Sequence, residues 1–118
     1  MILCFDLDNV VCATKNIKYK KAKPIFKTIK LINKAYALGF KIIIFTGRYY
    51  GTCGGNLKKI IKMDNGITKK QLKKWGVRYH SLLFGKPAFD VYVDDKNFEF
   101  KKNWHNKFSK HLLKIFKN

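Results

Sequence analysis

The chain has 118 residues, and its 26 Lys and Arg against seven Asp and Glu give a formal net charge of +19. This length fits one domain with a real hydrophobic core and leaves little room for a second. No apolar run approaches the roughly 18 residues that a membrane span needs, and no cationic leader precedes a small-residue cleavage site. We therefore expect a soluble, cytoplasmic protein with no membrane partner, folded as a single domain over residues 1–118.

The positive charge suggests an anionic partner such as nucleic acid. However, only Arg48 and Arg78 are arginine among the 26 basic residues, and Ile, Phe, Asn and Tyr are plentiful. An A+T-rich genome encodes this kind of mixture, whereas dedicated nucleic-acid surfaces use arginine for bidentate contacts. Anionic substrates in general are therefore favoured, and nucleic acid stays open as a partner.

The three cysteines, Cys4, Cys12 and Cys53, indicate neither disulfides nor a zinc site. Their number is odd, they lack a C-x-x-C spacing, and no histidine lies near them at ligand spacing. A reducing compartment fits this pattern.

The first elements are a strand, a loop and a helix. The run "ILCF" at residues 2–5 predicts a buried parallel strand that ends at Asp6. A polar, lysine-rich segment follows at residues 12–23. Apolar positions at helical spacing then predict a helix that begins near Pro24 and stops at Gly39.

The middle of the chain predicts a second strand and two short helices. Residues 41–46 form a second buried strand, which ends before a glycine-rich loop. Residues 57–63 predict a short helix. Thr68 and Gln71 have the spacing of a capping box for a further helix that Gly76 halts.

The C-terminal part predicts two more strands and an amphipathic helix. The strands are "RYHSLLF" at residues 78–84 and "VYVDD" at residues 91–95, and the helix carries apolar residues at every fourth position: Trp104, Phe108, Leu112 and Phe116. This alternation of strands and helices predicts an α/β fold, a Rossmann-like open parallel sheet with helices on both faces.

Acidic residues are concentrated at two strand ends. Four of the seven acids form the pairs Asp6/Asp8 and Asp94/Asp95. In an open parallel sheet, ligands bind outside the carboxyl ends of the strands, and converging carboxylates stay ionised when a hard cation such as Mg²⁺ joins them. The alternative is that each pair caps the turn after its strand.

These residues spell a known pattern, and the chain resembles the haloacid dehalogenase-like (HAD) superfamily of phosphatases. The motifs are "DLDNV" at residues 6–10, Thr46 within "FTGR", Lys86 within "GKP", and the acidic pair of "VYVDD". They follow in the expected order and cover residues 1 to about 95. The resemblance implies a single HAD-like hydrolase core domain.

The resemblance implies roles for the acidic residues. Asp6 would be the nucleophile that becomes an aspartyl-phosphate, and Asp8 would be the general acid and base. Asp8 also favours phosphoryl transfer over dehalogenation, because dehalogenases of the superfamily lack this second aspartate. Mg²⁺ would be bound by Asp6, the backbone carbonyl of Asp8, and Asp94, with Asp95 either as an additional ligand or next to the ligands without binding the ion directly.

Other residues would bind the substrate phosphate. Thr46 would donate its hydroxyl to a phosphate oxygen beside the Gly47 amide, and Lys86 would balance the negative charge. Arg48 would either bind a phosphate or carboxylate of the substrate or cap the loop. Asn9 stands where many relatives have glycine, which affects the turn and hence substrate choice.

The intervals between motifs leave no room for a cap domain, so we expect a capless member of the superfamily. An open site of this kind is closed by a large substrate, by a neighbouring subunit of a homo-oligomer, or by residues 12–23. The leading hypothesis is a Mg²⁺-dependent phosphomonoester hydrolase acting on a sugar phosphate. The alternatives are a phosphatase of nucleic-acid 3′ ends and a non-catalytic basic binding module.

Overall fold

A computed structural model of the protein describes residues 1–117, with side chains described through residue 114. The chain divides into two compact units, Met1–Ala88 and Phe89–Asn118. The strands, in chain order, are β1 (Ile2–Asp6), β2 (Cys12–Ala13), β3 (Lys23–Pro24), β4 (Lys41–Phe45) and β5 (Ser81–Leu83). The helices are α1 (Phe26–Ala37), α2 (Leu57–Asp64), α3 (Ile67–Lys74) and α4 (Trp104–Lys117). The prediction that residues 1–118 act as one domain stays a prediction.

The first unit contains a three-stranded parallel sheet in the order β1-β4-β5. The register pairs Asp6 with Phe45 across β1 and β4, and Phe45 with Leu83 across β4 and β5. All three strands therefore end at the same edge of the sheet, and helices flank the sheet. This confirms the predicted α/β class, and no cap domain is present among residues 1–117.

The core of the first unit forms around β4. Ile42 and Ile44 are completely buried, and α1 packs against this strand. The buried apolar residues around them include Phe5, Leu7, Val11, Ile29, Ile32, Ile60 and Leu72. Burying one such side chain stabilises the fold by ~1.5–3 kcal/mol, so the two isoleucines of the central strand contribute strongly to the stability of the first unit.

The helix boundaries follow local sequence signals, with one correction. Asn56 caps α2, since its side chain accepts a hydrogen bond from the backbone N–H of Lys59 at 3.1 Å. The predicted capping box of Thr68 and Gln71 is wrong. α3 instead starts after Gly66, whose φ of +76° places it in the left-handed region, and Oδ2 of Asp64 accepts a hydrogen bond from the backbone N–H of Thr68 in the first turn at 3.4 Å.

β1 is a strand, as predicted, but it is not fully buried. Ile2 is 59% exposed and Cys4 is also exposed. The reason is topological, because β1 lies at one edge of the sheet in the described chain. The apolar run therefore predicted the strand correctly, but the predicted burial of the whole strand is wrong.

The second unit is built on α4. Trp104, Phe108 and Leu112 are buried, and the ring of Phe98 meets that of Phe108 edge to face at 4.9 Å. This confirms three members of the predicted apolar repeat, while the side chain of Phe116 lies outside the described residues. Contrary to the prediction, the structure assigns no strand to residues 91–95 of the single chain.

Among residues 1–117, no helix combines the length and the apolar character that crossing a bilayer requires.

Removing core volume at β4 tests the assigned centre of the core. Ile44→Ala should lower the free energy of unfolding by ~2–5 kcal/mol, because the side chain is fully buried and leaves a cavity. The matched variant Ile61→Ala changes a residue of α2 that is 53% exposed, and should change it by less than about 1 kcal/mol. Urea denaturation of both variants checks this, and equal losses would contradict the assigned core.

Candidate active site

Asp6 lies at the carboxyl end of β1 and is paired with a lysine. Its Oδ2 lies 3.4 Å from Nζ of Lys86, and its Oδ1 accepts a hydrogen bond from the backbone N–H of Leu7 at 2.8 Å. Partial burial raises the pKa of Asp6 above its ordinary value, although the nearby Lys86 opposes this. The Asp6 side chain is 38% exposed, so a ligand from solvent can reach this carboxylate.

Asp8 lies two residues further on and is bound by an arginine. Arg48 donates to it from both sides of its guanidinium fork, from Nη2 to Oδ1 at 2.9 Å and from Nε to Oδ2 at 3.0 Å. The Asp8 side chain is 22% exposed, whereas that of Arg48 is completely buried. Burial on its own would lower the pKa of Arg48, but the hydrogen-bonded carboxylate of Asp8 outweighs it and the pKa is raised.

The remaining donors of Arg48 contact α3. Nη1 donates to Oγ1 of Thr68 at 3.0 Å and to Oε1 of Gln71 at 2.6 Å. Gln71 then donates from Nε2 to the backbone carbonyl of Tyr19 at 2.7 Å, and the Tyr19 ring lies 5.0 Å from the Arg48 guanidinium carbon. The two residues predicted to cap α3 therefore bind Arg48, and they connect α3 to the segment at residues 12–23.

A further carboxylate extends this network. Thr68 donates its hydroxyl to Oδ1 of Asp64 at 2.6 Å, and Asp64 is buried. Burial raises the pKa of Tyr49 to about 12, and the nearby Asp64 carboxylate adds to the effect. Tyr49 is therefore a neutral phenol over the ordinary pH range.

Two residues that the sequence analysis missed also bind Asp8. Thr14 donates its hydroxyl to Asp8 Oδ1 at 2.6 Å, and the Cys12 thiol donates to the same oxygen at 3.6 Å. Burial raises the pKa of the Cys12 thiol to about 11, so the thiol remains protonated and able to donate. Asp8 Oδ1 is thus crowded with donors, whereas Oδ2 accepts only from Arg48 Nε among the described residues.

The loop after β4 brings Lys86 to the same edge of the sheet. Thr46 is completely buried, its Oγ1 accepts from the backbone N–H of Arg48 at 3.1 Å, and its carbonyl accepts from the backbone N–H of Lys86 at 3.2 Å. A Cβ atom at Gly47 would lie only 2.9 Å from the Lys86 carbonyl oxygen. Glycine is required at position 47 because the two backbones approach so closely.

Asn9 shapes the turn between the two aspartates and the next strand. Its φ is +66°, in the left-handed region that asparagine tolerates better than most residues. Its Oδ1 accepts from the backbone N–H of Thr14 at 3.2 Å. A substrate contact for Asn9 stays a prediction.

Six of the predicted site residues therefore lie together in the first unit: Asp6, Asp8, Thr46, Gly47, Arg48 and Lys86. Arg48 faces inward, and its guanidinium is held by hydrogen bonds to Asp8 and to two residues of α3. A direct contact of Arg48 with substrate stays a prediction. The choice of arginine over lysine was the signal available for the pairing with Asp8, because only arginine can form the bidentate fork.

The other predicted pair, Asp94 and Asp95, belongs to the second unit, where both are exposed. Asp94 accepts from the backbone N–H of Lys96 at 2.8 Å and from the Tyr92 hydroxyl at 2.9 Å. The Lys96 N–H, more than any other group, lowers the pKa of Asp94. The role of the pair as metal ligands stays a prediction.

The chemistry of the donors in the first unit suits a magnesium ion in part. Asp6 offers a partly exposed carboxylate, a hard oxygen ligand, but no group of three His, Cys, Asp or Glu side chains gathers within residues 1–88 in a way that could hold a metal. Mg²⁺ commonly binds one or two carboxylates and completes its shell with water and substrate phosphate. The Asp6 carboxylate fits such a site.

Known structures give two likenesses. Over 98% of this chain and 96% of the other, the protein resembles a structural-genomics target from Vibrio cholerae, with a TM-score of 0.81 and 27% identity. It also resembles the D,D-heptose 1,7-bisphosphate phosphatase of B. bronchiseptica, crystallised with magnesium and phosphate. That match has a TM-score of 0.50 and 10% identity, and covers 94% of this chain and 63% of the other. No family model and no curated protein matches the sequence. The likeness to the heptose bisphosphate phosphatase is one of fold.

Proposed function

We propose that this protein is a Mg²⁺-dependent phosphomonoester hydrolase of the HAD-like superfamily that acts through an aspartyl-phosphate on Asp6. The observation that carries the proposal is the pairing of each aspartate with its own cation at one edge of the sheet. Asp6 lies beside Lys86, and Asp8 is bound by Arg48. The two carboxylates therefore sit in different surroundings and suit different tasks.

Asp6 suits nucleophilic attack. Its carboxylate is partly exposed and lies 3.4 Å from the Lys86 ammonium, which balances charge on an incoming phosphate. Attack by a carboxylate oxygen on phosphorus forms the aspartyl-phosphate and breaks the bond to the leaving oxygen. Water then attacks the phosphorus, inorganic phosphate leaves, and the Asp6 carboxylate is restored.

Asp8 suits proton transfer. Its Oδ1 is fixed by Arg48 and Thr14, so the less crowded Oδ2 is the oxygen with room for a proton. Asp8 would give this proton to the leaving oxygen and recover one from the attacking water. Such a group contributes ~10²–10⁴-fold to the rate.

Magnesium would be held by the carboxylates of Asp6, Asp94 and Asp95 and by the Asp8 backbone carbonyl. When bound, it would offset the negative charge of the phosphoryl oxygens. The likeness to a phosphatase crystallised with magnesium and phosphate supports this cofactor.

A sugar phosphate is the proposed substrate, supported by the fold shared with a phosphatase of heptose 1,7-bisphosphate. The charge of the first unit favours a second candidate, an oligonucleotide with a 3′-phosphate, because residues 1–88 hold 19 Lys and Arg against three Asp. The two candidates differ in salt dependence. Hydrolysis of an oligonucleotide should weaken steeply with added salt, whereas that of a sugar phosphate should change little.

The basic experiment measures phosphate release from an aryl phosphate, a panel of sugar phosphates and a 3′-phosphorylated oligonucleotide. Turnover should require Mg²⁺, stop with EDTA, and be abolished in Asp6→Asn. In Asp8→Asn it should fall by ~10²–10⁴-fold. Glu99→Gln is the matched control, because Glu99 is exposed and pairs with Lys101 in the second unit at 3.1 Å. Turnover that survives in Asp6→Asn would refute the aspartyl-phosphate, and no turnover on the whole panel would leave the basic binding module as the better hypothesis.

The role of Arg48 is tested by Arg48→Lys, which keeps the charge and loses the bidentate fork. If Arg48 orients Asp8, kcat should fall by ~10–100-fold while KM changes little. Arg78→Lys changes the other arginine, which is exposed and lies over the Tyr36 ring at 4.3 Å, and should leave both constants unchanged. A rise in KM with an unchanged kcat would assign Arg48 to substrate binding instead. Circular dichroism confirms that each variant is folded.

The raised pKa of Asp6 predicts that its ionised carboxylate lowers the stability of the folded protein. The pKa of Asp6 is higher in the folded protein than in the unfolded chain, where it is near 3.8. Ionising Asp6 therefore lowers the free energy of unfolding as the pH rises above this value, and the loss is complete at neutral pH. In EDTA, Asp6→Asn should therefore melt above the wild type at about pH 7 and lose this advantage below about pH 4. Asp94→Asn should not melt above the wild type at any pH, since the pKa of Asp94 is lowered. A melting temperature of Asp6→Asn below that of the wild type at neutral pH would contradict this reading.

A further inference from the structure

The outer edge of β1 carries an apolar surface that has no strand beside it among the described residues. β1 is the terminal strand of the sheet, Ile2 is 59% exposed and Cys4 is exposed. Parallel strands are normally covered on both faces, and an open edge presents unpaired backbone N–H and C=O groups. This edge is a template for one more strand.

Residues 91–95, "VYVDD", have the character of such a strand. Val91 is 78% exposed and Val93 is 91% exposed, although β-branched residues favour a sheet and apolar ones favour burial. The structure assigns these five residues to no strand in the single chain. The sequence pattern and the exposure together indicate a strand whose neighbour is outside the chain.

We propose that residues 91–95 of one copy pair in parallel with the outer edge of β1 of a second copy, and reciprocally, in a symmetric dimer that exchanges C-terminal segments. The parallel direction follows from the acids at the end of the segment. It brings Asp94 and Asp95 to the edge where Asp6 lies, whereas the antiparallel direction would place them near Ile2. One exchange covers both exposed surfaces in both copies.

The short connection within one chain disfavours the same pairing. Only residues 84–90 separate β5 from the segment, whereas parallel strands need a crossover of a dozen or more. Lys86 is held at the carboxyl end of β4 by its hydrogen bond to Thr46, and the five Cα steps to Val91 reach at most about 18 Å. A strand paired with the outer side of β1 would lie about 10 Å from β4 across the sheet, and its first residue, Val91, would lie about 10 Å back from the carboxyl end of the strands. The straight line between these points is about 14 Å, so a path around the side chains at this edge takes up most of that reach, and Pro87 stiffens it further.

Charge favours the exchange. Residues 89–95 hold three Asp and no Lys or Arg, whereas residues 1–88 have a formal charge of +16, from 19 Lys and Arg and three Asp. An acidic segment docked on a strongly basic body is electrostatically complementary. Two bodies of this charge otherwise repel each other, so the acidic segment is the part of the chain suited to join them.

The dimer would complete the active site in trans. Asp6, Asp8 and Lys86 of one copy would meet the partner subunit's Asp94 and Asp95, which would place two further carboxylates beside Asp6. This consequence and the parallel direction rest on the proposed phosphatase function, whereas the exchange of segments itself does not.

The exchange is tested without any activity. If Asp94 lies level with Asp6, Tyr92 lies level with Cys4, so Tyr92→Cys should form a disulfide between chains under mild oxidation. Light scattering should give the mass of a dimer, and non-reducing electrophoresis a covalent dimer that vanishes when Cys4→Ser is added. Phe100→Cys is the matched control, because Phe100 is 60% exposed and lies outside the segment. A monomeric mass at high concentration, a disulfide within one chain, or no disulfide at all would overturn the proposal.

Activity gives a second, independent test of the composite site. Asp6→Asn chains and Asp94→Asn/Asp95→Asn chains are each inactive alone in this scheme. When the two are refolded together, random mixing should restore about a quarter of the wild-type activity, because each mixed dimer has one intact site. Absence of recovery with an active wild type would overturn the trans site. A covalent dimer with an inactive wild type would instead uphold the exchange and refute the proposed function.

Discussion

The ion pair of Arg48 and Asp8 is the constraint on which the first unit depends. A fully buried guanidinium needs a carboxylate and further acceptors around it, because an unpaired buried charge costs several kcal/mol. Asp8, Thr68 and Gln71 supply those acceptors, and Gln71 also binds the carbonyl of Tyr19. The turn after β1, the loop after β4, α3 and residues 12–23 are thus fixed relative to each other by one side chain.

Sequence reasoning could predict what depends on short-range pattern. β4 is an apolar run between polar ends and was predicted to within one residue, and α1, with its apolar residues at helical spacing, was predicted to within about two residues at each end. It could not predict what depends on a distant partner. Thr68 and Gln71 have the spacing of a capping box, but that same spacing presents both side chains to Arg48, 20 and 23 residues away. The two side chains bind the buried guanidinium instead of capping the helix, because a buried charge without acceptors costs more free energy than a missing helix cap.

The same limit explains β1 and residues 91–95. An apolar run signals a strand whether its neighbour comes from the same chain or another, so the pattern could indicate pairing but not the partner. The single chain leaves Ile2, Val91 and Val93 exposed, and an exposed apolar strand edge is a liability that proteins normally cover. The mismatch between pattern and exposure is therefore informative: it marks surfaces whose proper environment is an assembly.

The two aspartates show how a small chain differentiates identical side chains. Asp8 is bound by a rigid fork and two neighbouring donors and gains orientation, whereas Asp6 has one flexible lysine and remains open to solvent. In the proposed reaction, orientation suits Asp8, which would pass a proton at a fixed place, and accessibility suits Asp6, which would attack phosphorus. Partial burial beside a single lysine leaves the charge of Asp6 incompletely balanced, which is why its pKa is raised. A bound cation would remove that imbalance, so the feature that weakens the isolated fold is the one that would favour the proposed magnesium ion.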